Sequence, residues 1–421
     1  MSSLLHAQIV GSNGYMQGDY VEVGLNACGA FASSSTPPAG YVVTGLSGLN
    51  FIADVDLDGW GTGTPGYCGD YAIPGSPVEG WGIQIGGSSY YNTDQYCYTS
   101  DIDGGIISYS DAGDSVVIVW EGTVAGVIVT QRSVLYPDNL FFVTKVTLTN
   151  TSGADLTDIY YRRNIDPDNE QLWTGSFVTV NTVEANPVSG DAYAVVTAVG
   201  QTYGCYLALV ANSLLASASY GNFGTTSGSS VSDSYNGLSG FNQTGTNTAD
   251  QAIQMSFYIP ALPDDGTYTF AFAYVFSEEA VDEALEETFV PGDEPIDVGV
   301  IDILTPVSGC SLGSETVTIK IFNFGYEAQS NIPVYYQVDG GTTYSGTITG
   351  PVAPGTFATY TFADLADLSA EGDYLITAWT DLAGDAEPGN DDSEQSVTNI
   401  PIISSFPYTE NFESGAGGWT S

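Results

Sequence analysis

Residues 140–164 read LFFVTKVTLTNTSGADLTDIYYRRN, two apolar-rich runs joined by a short polar segment. Apolar and polar residues alternate in each run, which is typical of β-strands with one buried face. The joining segment is rich in Asn, Ser, Asp and Gly, which tolerate the backbone dihedrals of turns. Similar runs cover 115–136, 191–199 and 251–276. The pattern therefore predicts an all-β fold.

The strand-like segments fall into two groups, separated by PGDEP at 291–295, which we interpret as a linker. Residues 8–290 predict one large, supersandwich-like β-sandwich. Residues 296–400 contain about seven strand-like segments and no helical pattern, which predicts an immunoglobulin-like β-sandwich. Residues 401–421 are interpreted as the incomplete start of a third β domain. Residues 1–7 are either a signal-peptide remnant with a small-residue ending or an N-terminal strand.

Two stretches of the second group carry a family resemblance. DVGVIDILTP and IKIFNFGYEAQSNIPVYYQVDGG, both within 296–400, resemble CARDB-type adhesion domains of bacterial surface proteins. FPYTENFESGAGGW, near the end of the chain, resembles the first strand of a MAM-like or lectin-type jelly roll. The combination is similar to modular, adhesin-like surface proteins exported by the type IX pathway of bacteria. The resemblance implies a secreted, extracellular or cell-surface protein and assigns no activity.

The charge balance excludes several classes of function. The chain has 5 Lys and Arg against 50 Asp and Glu, a formal net charge of −45. Such a surface repels phosphate backbones, so we exclude nucleic acid as a partner. It suits the binding of divalent cations, although acidic residues also simply keep secreted proteins soluble. No run of eighteen apolar residues exists, which predicts no membrane span.

The segment ADVDLDGW at 53–60 is a candidate calcium loop. Carboxylates at alternate positions of a tight loop can converge on one hard cation, and the glycine permits the sharp turn. These carboxylates belong to Asp54, Asp56 and Asp58, and candidates for further ligands are Asp70 and Glu79. An EF-hand is excluded because its twelfth loop position would be Pro65 instead of Glu. The alternative is a solvated acidic turn without an ion.

A second unusual segment is YYRRNIDPDNEQ at 160–171, which holds Arg162 and Arg163 beside the acids Asp166, Asp168 and Glu170. The strand that precedes the acids should bury alternate residues, so one arginine is expected to point inward. An unpaired buried charge is too costly, which predicts an ion pair between an arginine and a nearby carboxylate. A second cation site or a ligand site is the alternative.

Covalent features are less specific. None of the five cysteines forms a C-x-x-C pair, so zinc and thioredoxin-like chemistry have no support. In an exported protein Cys68 and Cys97 form our preferred disulfide, and buried unpaired thiols are the alternative. Glycosylation motifs occur at Asn150 and Asn242 (N-x-S/T), and Ser115 lies in a triplet that resembles a bacterial O-glycosylation acceptor.

The residue inventory predicts no catalytic residues. His6 is the single histidine, which leaves Ser–His–Asp and Cys–His systems without a base. We therefore predict a structural or adhesive surface protein whose partners are other surface proteins, glycans or further copies of itself. Copies could form a pilus-like filament if residues 4–10 (LLHAQIV) add as a strand to a neighbouring sheet. The alternative is a carbohydrate-binding or carbohydrate-degrading protein, which requires a concave, aromatic-lined pocket with two facing carboxylates.

Overall fold

A computed structural model describes the chain at residues 6–75, 79–111, 113–224, 229–291, 296–325 and 327–401. The chain divides into two compact units, Met1–Val290 and Pro291–Ser421. Strands make up 52% of the structure and helices 6%, so the predicted all-β, sandwich-like fold is confirmed. The predicted third domain lies outside the described residues apart from Pro401, and most of the predicted linker also lies outside them.

The first unit is built mainly from strands. In chain order they are β1 His6–Val10, β2 Asn13–Gln17, β3 Val21–Leu25, β4 Phe51–Ala53, β5 Cys68–Gly69, β6 Glu79–Ile85, β7 Ser88–Thr93, β8 Thr99–Ser100, β9 Asp103–Asp111, β10 Val116–Val124, β11 Val127–Leu135, β12 Phe141–Asn150, β13 Leu156–Ile165, β14 Thr179–Ala185, β15 Ala194–Gly200, β16 Tyr206–Ala211, β17 Ala216–Gly221, β18 Phe241–Asn242, β19 Gly245–Ala249, β20 Ala252–Leu262 and β21 Thr267–Val275. The helices described in this unit are short: α1 Gln171–Thr174, α2 Val231–Tyr235 and α3 Val281–Thr288.

These strands form three antiparallel sheets. A nine-stranded sheet has the order β19-β14-β15-β16-β21-β12-β11-β10-β9, and a seven-stranded sheet has the order β18-β17-β20-β13-β6-β7-β8. The strands quoted first, β12 and β13, lie in different sheets, so the turn between them crosses the sandwich. A five-stranded sheet, β1-β2-β3-β4-β5, completes the unit.

The main core lies between the nine- and seven-stranded sheets. Trp81 of β6 meets Trp120 of β10 edge to face, with ring centroids 5.2 Å apart. Tyr161 of β13 meets Phe270 of β21 in the same manner at 5.1 Å. Because each sheet contributes alternate side chains to this layer, the period-two pattern of the sequence is the direct cause of the core. A smaller apolar cluster on the opposite face of the nine-stranded sheet packs against α3.

The second unit is a smaller sandwich. Its strands are β22 Val298–Thr305, β23 Gly309–Cys310, β24 Ser314–Asn323, β25 Ile332–Val338, β26 Tyr344–Ile348, β27 Phe357–Asp367, β28 Gly372–Thr380 and β29 Asp392–Ile400. A three-stranded sheet, β22-β24-β27, and a five-stranded sheet, β23-β29-β28-β25-β26, share one apolar core. All seven strand-like segments identified in the sequence appear here, and β23 is an additional short strand that pairs in parallel with β29.

Candidate functional site

The acidic loop directly follows β4, where the chain leaves the five-stranded sheet. The carboxylate oxygens that Asp54, Asp56 and Asp58 offer to an ion all lie within 4.8 Å of one another. Gly59 has a φ of 105°, which glycine adopts without strain, and its N–H donates to Asp54 Oδ2 at 3.0 Å. Gly63 lies close by, since a Cβ there would be 3.1 Å from Asp56 Oδ2 and 3.2 Å from Asp58 Oδ2. The structure thus brings the three predicted ligands together.

Asp54 is the buried member of this group. It is 1% exposed, whereas Asp56 and Asp58 are exposed. Its Oδ1 atom is buried and accepts no hydrogen bond from any described residue. Burial raises the pKa of Asp54, and the charges of Asp56 and Asp58 raise it further. A buried, unpartnered carboxylate oxygen beside two further carboxylates is the environment in which a hard cation with oxygen ligands is favourable.

The two additional ligands predicted from sequence are corrected by the structure, because both are engaged elsewhere. Asp70 is fully buried and accepts backbone N–H groups at 2.8–3.2 Å, those of Asn50, Ala72 and Ile73. Glu79 is fully occupied inside the sandwich, where it pairs with Arg163. Neither side chain belongs to the group formed by Asp54, Asp56 and Asp58.

Both arginines of YYRRN are buried, because β13 is an interior strand with both faces covered. β13 pairs with β20 on one side and β6 on the other. Arg163 points into the layer between the two large sheets, and Arg162 points to the opposite face, which α2 covers. The sequence predicted one buried arginine, and the second is buried because a helix closes the face that the sequence pattern leaves to solvent.

Arg163 is paired with Glu79, and the predicted partners Asp166 and Asp168 are wrong. Its Nε and Nη2 atoms donate to the two oxygens of Glu79, and Nη1 donates to Gln131 Oε1 at 2.8 Å. Glu79 also accepts the Tyr274 hydroxyl at 2.8 Å and the Phe31 N–H at 2.6 Å. Burial has the largest single effect and would lower the pKa of Arg163, but the Glu79 carboxylate, together with smaller contributions from Tyr161 and Tyr274, raises that pKa. Burial raises the pKa of Glu79 while the Arg163 charge lowers it, and the two-point contact between completely buried side chains makes the pair structural.

Arg162 has no carboxylate partner among the described residues. Its Nη1 donates to the Ser230 carbonyl oxygen at 3.1 Å, and its guanidinium lies over the rings of Tyr91 and Phe241. Burial lowers the pKa of Arg162 to about 10. Carbonyl and aromatic contacts stabilise a guanidinium without neutralising it, so this residue holds α2 against the sheet.

Glu170 is neither an ion-pair partner nor a cation ligand, which corrects a further prediction. Its carboxylate accepts N–H groups at 2.8–3.2 Å from the loop before β16, those of Thr202, Tyr203 and Cys205. Gly200 leaves room for it, since a Cβ there would lie 2.1 Å from Glu170 Oε1. The role of Glu170 is thus to order that loop.

Asp166 and Asp168 have no side-chain partner among the described residues. Asp166 is 3% exposed and Asp168 is 1% exposed. Asp166 Oδ1 and both carboxylate oxygens of Asp168 are buried and accept no hydrogen bond from any described residue. Burial, followed by the charge of Asp250, raises the pKa of Asp166 to about 8. Burial, followed by the charges of Asp166 and Asp250, raises the pKa of Asp168 to about 9.

The cysteine pairing differs from the prediction. Cys28 is bonded to Cys97, and Cys68 is bonded to Cys205, 137 residues away in sequence. The predicted Cys68–Cys97 bond is therefore wrong, because β5 lies beside the loop that Glu170 orders. Cys310 is a free, exposed thiol. Disulfides persist in oxidising compartments, and these two are consistent with an extracellular protein.

The glycosylation motifs are placed differently by the fold. Asn150 is fully buried, and its Nδ2 donates to the carbonyl oxygens of Ala154, Leu262 and Pro263. The prediction of a glycan on Asn150 is corrected, because a buried amide with occupied N–H groups is not accessible to a transferase. Asn242 is exposed and Ser115 is partly exposed, and both stay predictions.

A cleft lies on the face of the nine-stranded sheet that carries α3. Its volume is about 870 Å³, and it is lined by side chains of β14, β15, β16 and the N-terminal part of α3. Tyr193 and Tyr206 supply aromatic rings, and Glu184, Glu278 and Glu279 supply carboxylates. Burial raises the pKa of Tyr206, and the charges of these glutamates raise it further. Val55, from the acidic loop, also lines the cleft.

Asp250 and the cleft residues were not identified from the sequence. Asp250 is exposed and lies in an ordinary polar turn, so no local signal marks it. Glu184 lies on β14, Tyr193 directly precedes β15 and Tyr206 begins β16, and these segments become neighbours only in the sheet. The alternation within β14 and β15 predicts which side chains share a face, but it does not predict that a cleft forms over that face.

Within the described part of the chain, no helix has the length and apolarity needed to cross a membrane. No family model matches the chain, and no curated protein matches it.

Several solved structures are similar at low identity. A CARDB domain from Pyrococcus furiosus is 18% identical over 25% of this chain and 96% of its own length, with a TM-score of 0.21. A polysaccharide lyase is 11% identical over 95% of this chain and 47% of its own (TM-score 0.29). A bacterial glucoamylase complexed with acarbose is 10% identical over 66% of this chain and 32% of its own (TM-score 0.35). The chain therefore spans about half of that lyase and a third of that glucoamylase.

Proposed function

We propose that the protein is an extracellular structural or adhesive protein of the cell surface, with a calcium ion held by Asp54, Asp56 and Asp58. The observation that supports it most is the buried Asp54 Oδ1, which has no donor and lies with two exposed carboxylates within 4.8 Å. An ion that links a strand end to its loop makes a β-sandwich module rigid, which suits a load-bearing surface protein. The two disulfides also stabilise the folded unit.

The experiment compares thermal unfolding with and without calcium. A ligand that binds only the folded state adds about 2.7 kcal/mol of stability at a hundredfold excess over its dissociation constant. The parent should melt higher in millimolar calcium than in chelator, and Asp56→Asn/Asp58→Asn should lose most of that difference. Asp138→Asn, a change at an exposed acid outside the loop, is the matched control. A double variant that retains the full calcium response would refute the site.

We also propose that copies of the protein assemble into filaments through the edge strand β1. β1 is the edge strand of its sheet and, within the described residues, forms a hydrogen-bonded ladder with β2 only, although β9 and β10 lie close to it. A strand from a second copy could add there, and a head-to-tail contact of this kind produces a fibre unless it closes into a ring. Deleting residues 1–10 should abolish any fibre seen by electron microscopy in calcium, whereas fibres of unchanged length would exclude this contact.

Carbohydrate binding is a second candidate, and the cleft on the nine-stranded sheet favours it. Its volume of about 870 Å³ falls within the range of small-ligand sites. Tyrosine rings can stack on sugar faces, and carboxylates such as Glu184 accept hydrogen bonds from sugar hydroxyls. We propose binding without catalysis, so a bound oligosaccharide should be recovered unchanged.

The test of this candidate is a glycan-binding screen followed by calorimetry. Tyr193→Ala and Glu184→Gln should each weaken binding at least tenfold, because each removes a contact inside the cleft. Tyr109→Ala, at an exposed tyrosine of β9, is the control. A glycan that binds equally well to all three variants would place binding outside the cleft, and release of shorter sugars would make the protein an enzyme.

A further inference from the structure

Beyond the acidic loop, we infer that the protein binds a second divalent cation, held by Asp166 and Asp168 with Asp250 at the entrance. The two aspartates follow β13, and Asp250 lies in the turn between β19 and β20. This inference does not depend on the loop site, because it uses none of the same residues.

The buried oxygens are the first argument. Asp166 Oδ1 and both oxygens of Asp168 are enclosed by protein and accept no hydrogen bond from any described residue. The Gly75 N–H lies beside Asp168 and lowers its pKa slightly, but its hydrogen bond goes to the Ala72 carbonyl oxygen at 3.3 Å. Buried polar atoms nearly always have partners, so unpartnered oxygens on two buried carboxylates only two residues apart indicate a missing partner.

The missing partner is not a basic side chain. The chain has 5 Lys and Arg in all, and the two nearest in sequence are committed elsewhere. Arg163 is paired with Glu79, and Arg162 points to the opposite face of β13. With no cationic side chain to neutralise them, two buried carboxylates require a cation from solution if they are to be ionised.

The donor set favours calcium or a similar hard ion. All candidate ligands are carboxylate oxygens, which Ca²⁺ prefers, and water can complete its 6–8 ligands. Asp168 packs closely against Gly75, and only glycine permits this contact, since a Cβ at that position would lie 2.2 Å from Asp168 Oδ2. Ile253 of β20 pairs with Ile165 at the end of β13, so the turn that carries the exposed Asp250 lies near both aspartates, and its charge acts on both. The carboxylates are not grouped as tightly as those of the acidic loop, so Asp250 is expected to contact the ion through water.

Ion stoichiometry is the test. Isothermal titration of chelator-treated full-length protein with calcium should give two ions per chain. Asp56→Asn/Asp58→Asn and Asp166→Asn/Asp168→Asn should each give one, and the quadruple variant should give none. The control Asp138→Asn should keep two. If Asp56→Asn/Asp58→Asn lost all calcium binding and Asp166→Asn/Asp168→Asn lost none, the second site would be refuted and the loop site would stand. If Asp166→Asn/Asp168→Asn lost all calcium binding and Asp56→Asn/Asp58→Asn lost none, the loop site would be refuted and the second site would stand.

Two further measurements guard against a folding defect. Asparagine removes buried charge without changing shape, so in chelator Asp166→Asn/Asp168→Asn should melt no lower than the parent. Asp250→Asn changes an exposed residue and should weaken one of the two calcium affinities at least threefold while the other stays constant. Unchanged affinities in Asp250→Asn together with two ions in Asp166→Asn/Asp168→Asn would overturn the inference.

Discussion

The buried pair between Glu79 and Arg163 should be among the most sensitive positions of the first unit. Glu79→Gln keeps the shape of the side chain but leaves the guanidinium without its counter-charge, and its remaining acceptors, which are the new amide oxygen, Gln131 Oε1 and the Gly29 carbonyl oxygen, are all neutral. Removing one member of a buried ion pair typically costs about 3–5 kcal/mol. Both side chains are completely buried, so solvent does not reduce this cost.

That cost converts into a measurable shift. A unit of roughly 290 residues has an unfolding entropy of about 0.6 kcal/mol/K, so the melting temperature should fall by about 5–8 °C. Arg163→Met should cost a similar amount, because it leaves Glu79 with two donors, the Tyr274 hydroxyl and the Phe31 N–H. The double variant should be less destabilised than the sum of the two changes, since it removes both charges together.

The assay is calorimetry and denaturant unfolding of the full chain, read by two probes. Arg132→Met, at an exposed arginine on β11, is the control and should change stability by less than about 0.5 kcal/mol. Single variants that cost under 1 kcal/mol, or a double variant whose cost equals the sum, would show that the pair is solvated and would refute the reasoning.

Three further predictions rest on other buried groups. Burial raises the pKa of Glu22 from 4.5 to about 7, so the stability that Glu22 contributes is complete below pH 4.5 and is lost as the pH rises through 7. In denaturant melts, the free energy of unfolding of Glu22→Gln should therefore equal that of the parent at pH 4 and exceed it by up to about 3 kcal/mol at pH 8. Peptide mapping under non-reducing conditions should find the Cys28–Cys97 and Cys68–Cys205 bonds and a maleimide-labelled Cys310, and a Cys68–Cys97 peptide would contradict the fold. Mass spectrometry of native material should find Asn150 unmodified, because its amide is buried. A glycan on Asn150 would show that the end of β12 is exposed to solvent and would contradict this prediction.

The sequence was informative wherever the cause of a feature lies within a few residues. The two-residue period of LFFVTKVTLT and its counterparts is the condition for a strand with one buried face, so the all-β fold follows from it. The acidic loop could be identified for the same reason, since Asp54, Asp56 and Asp58 are near neighbours in the chain and a single turn brings their oxygens together. The burial of one of the two arginines also followed from their place in an alternating strand.

Partners across the fold were decided by the tertiary structure. Glu79 and Arg163 are 84 residues apart and meet because β6 and β13 pair in a register that sets Trp81 opposite Arg163. Cys68 bonds Cys205 because β5 approaches the loop before β16, and Asp250 approaches Asp166 because β19 and β20 return to the end of β13. The physical reason is that a strand's alternation fixes which face a side chain occupies, whereas the neighbour it meets depends on strand order and register, which only the packed sheets determine.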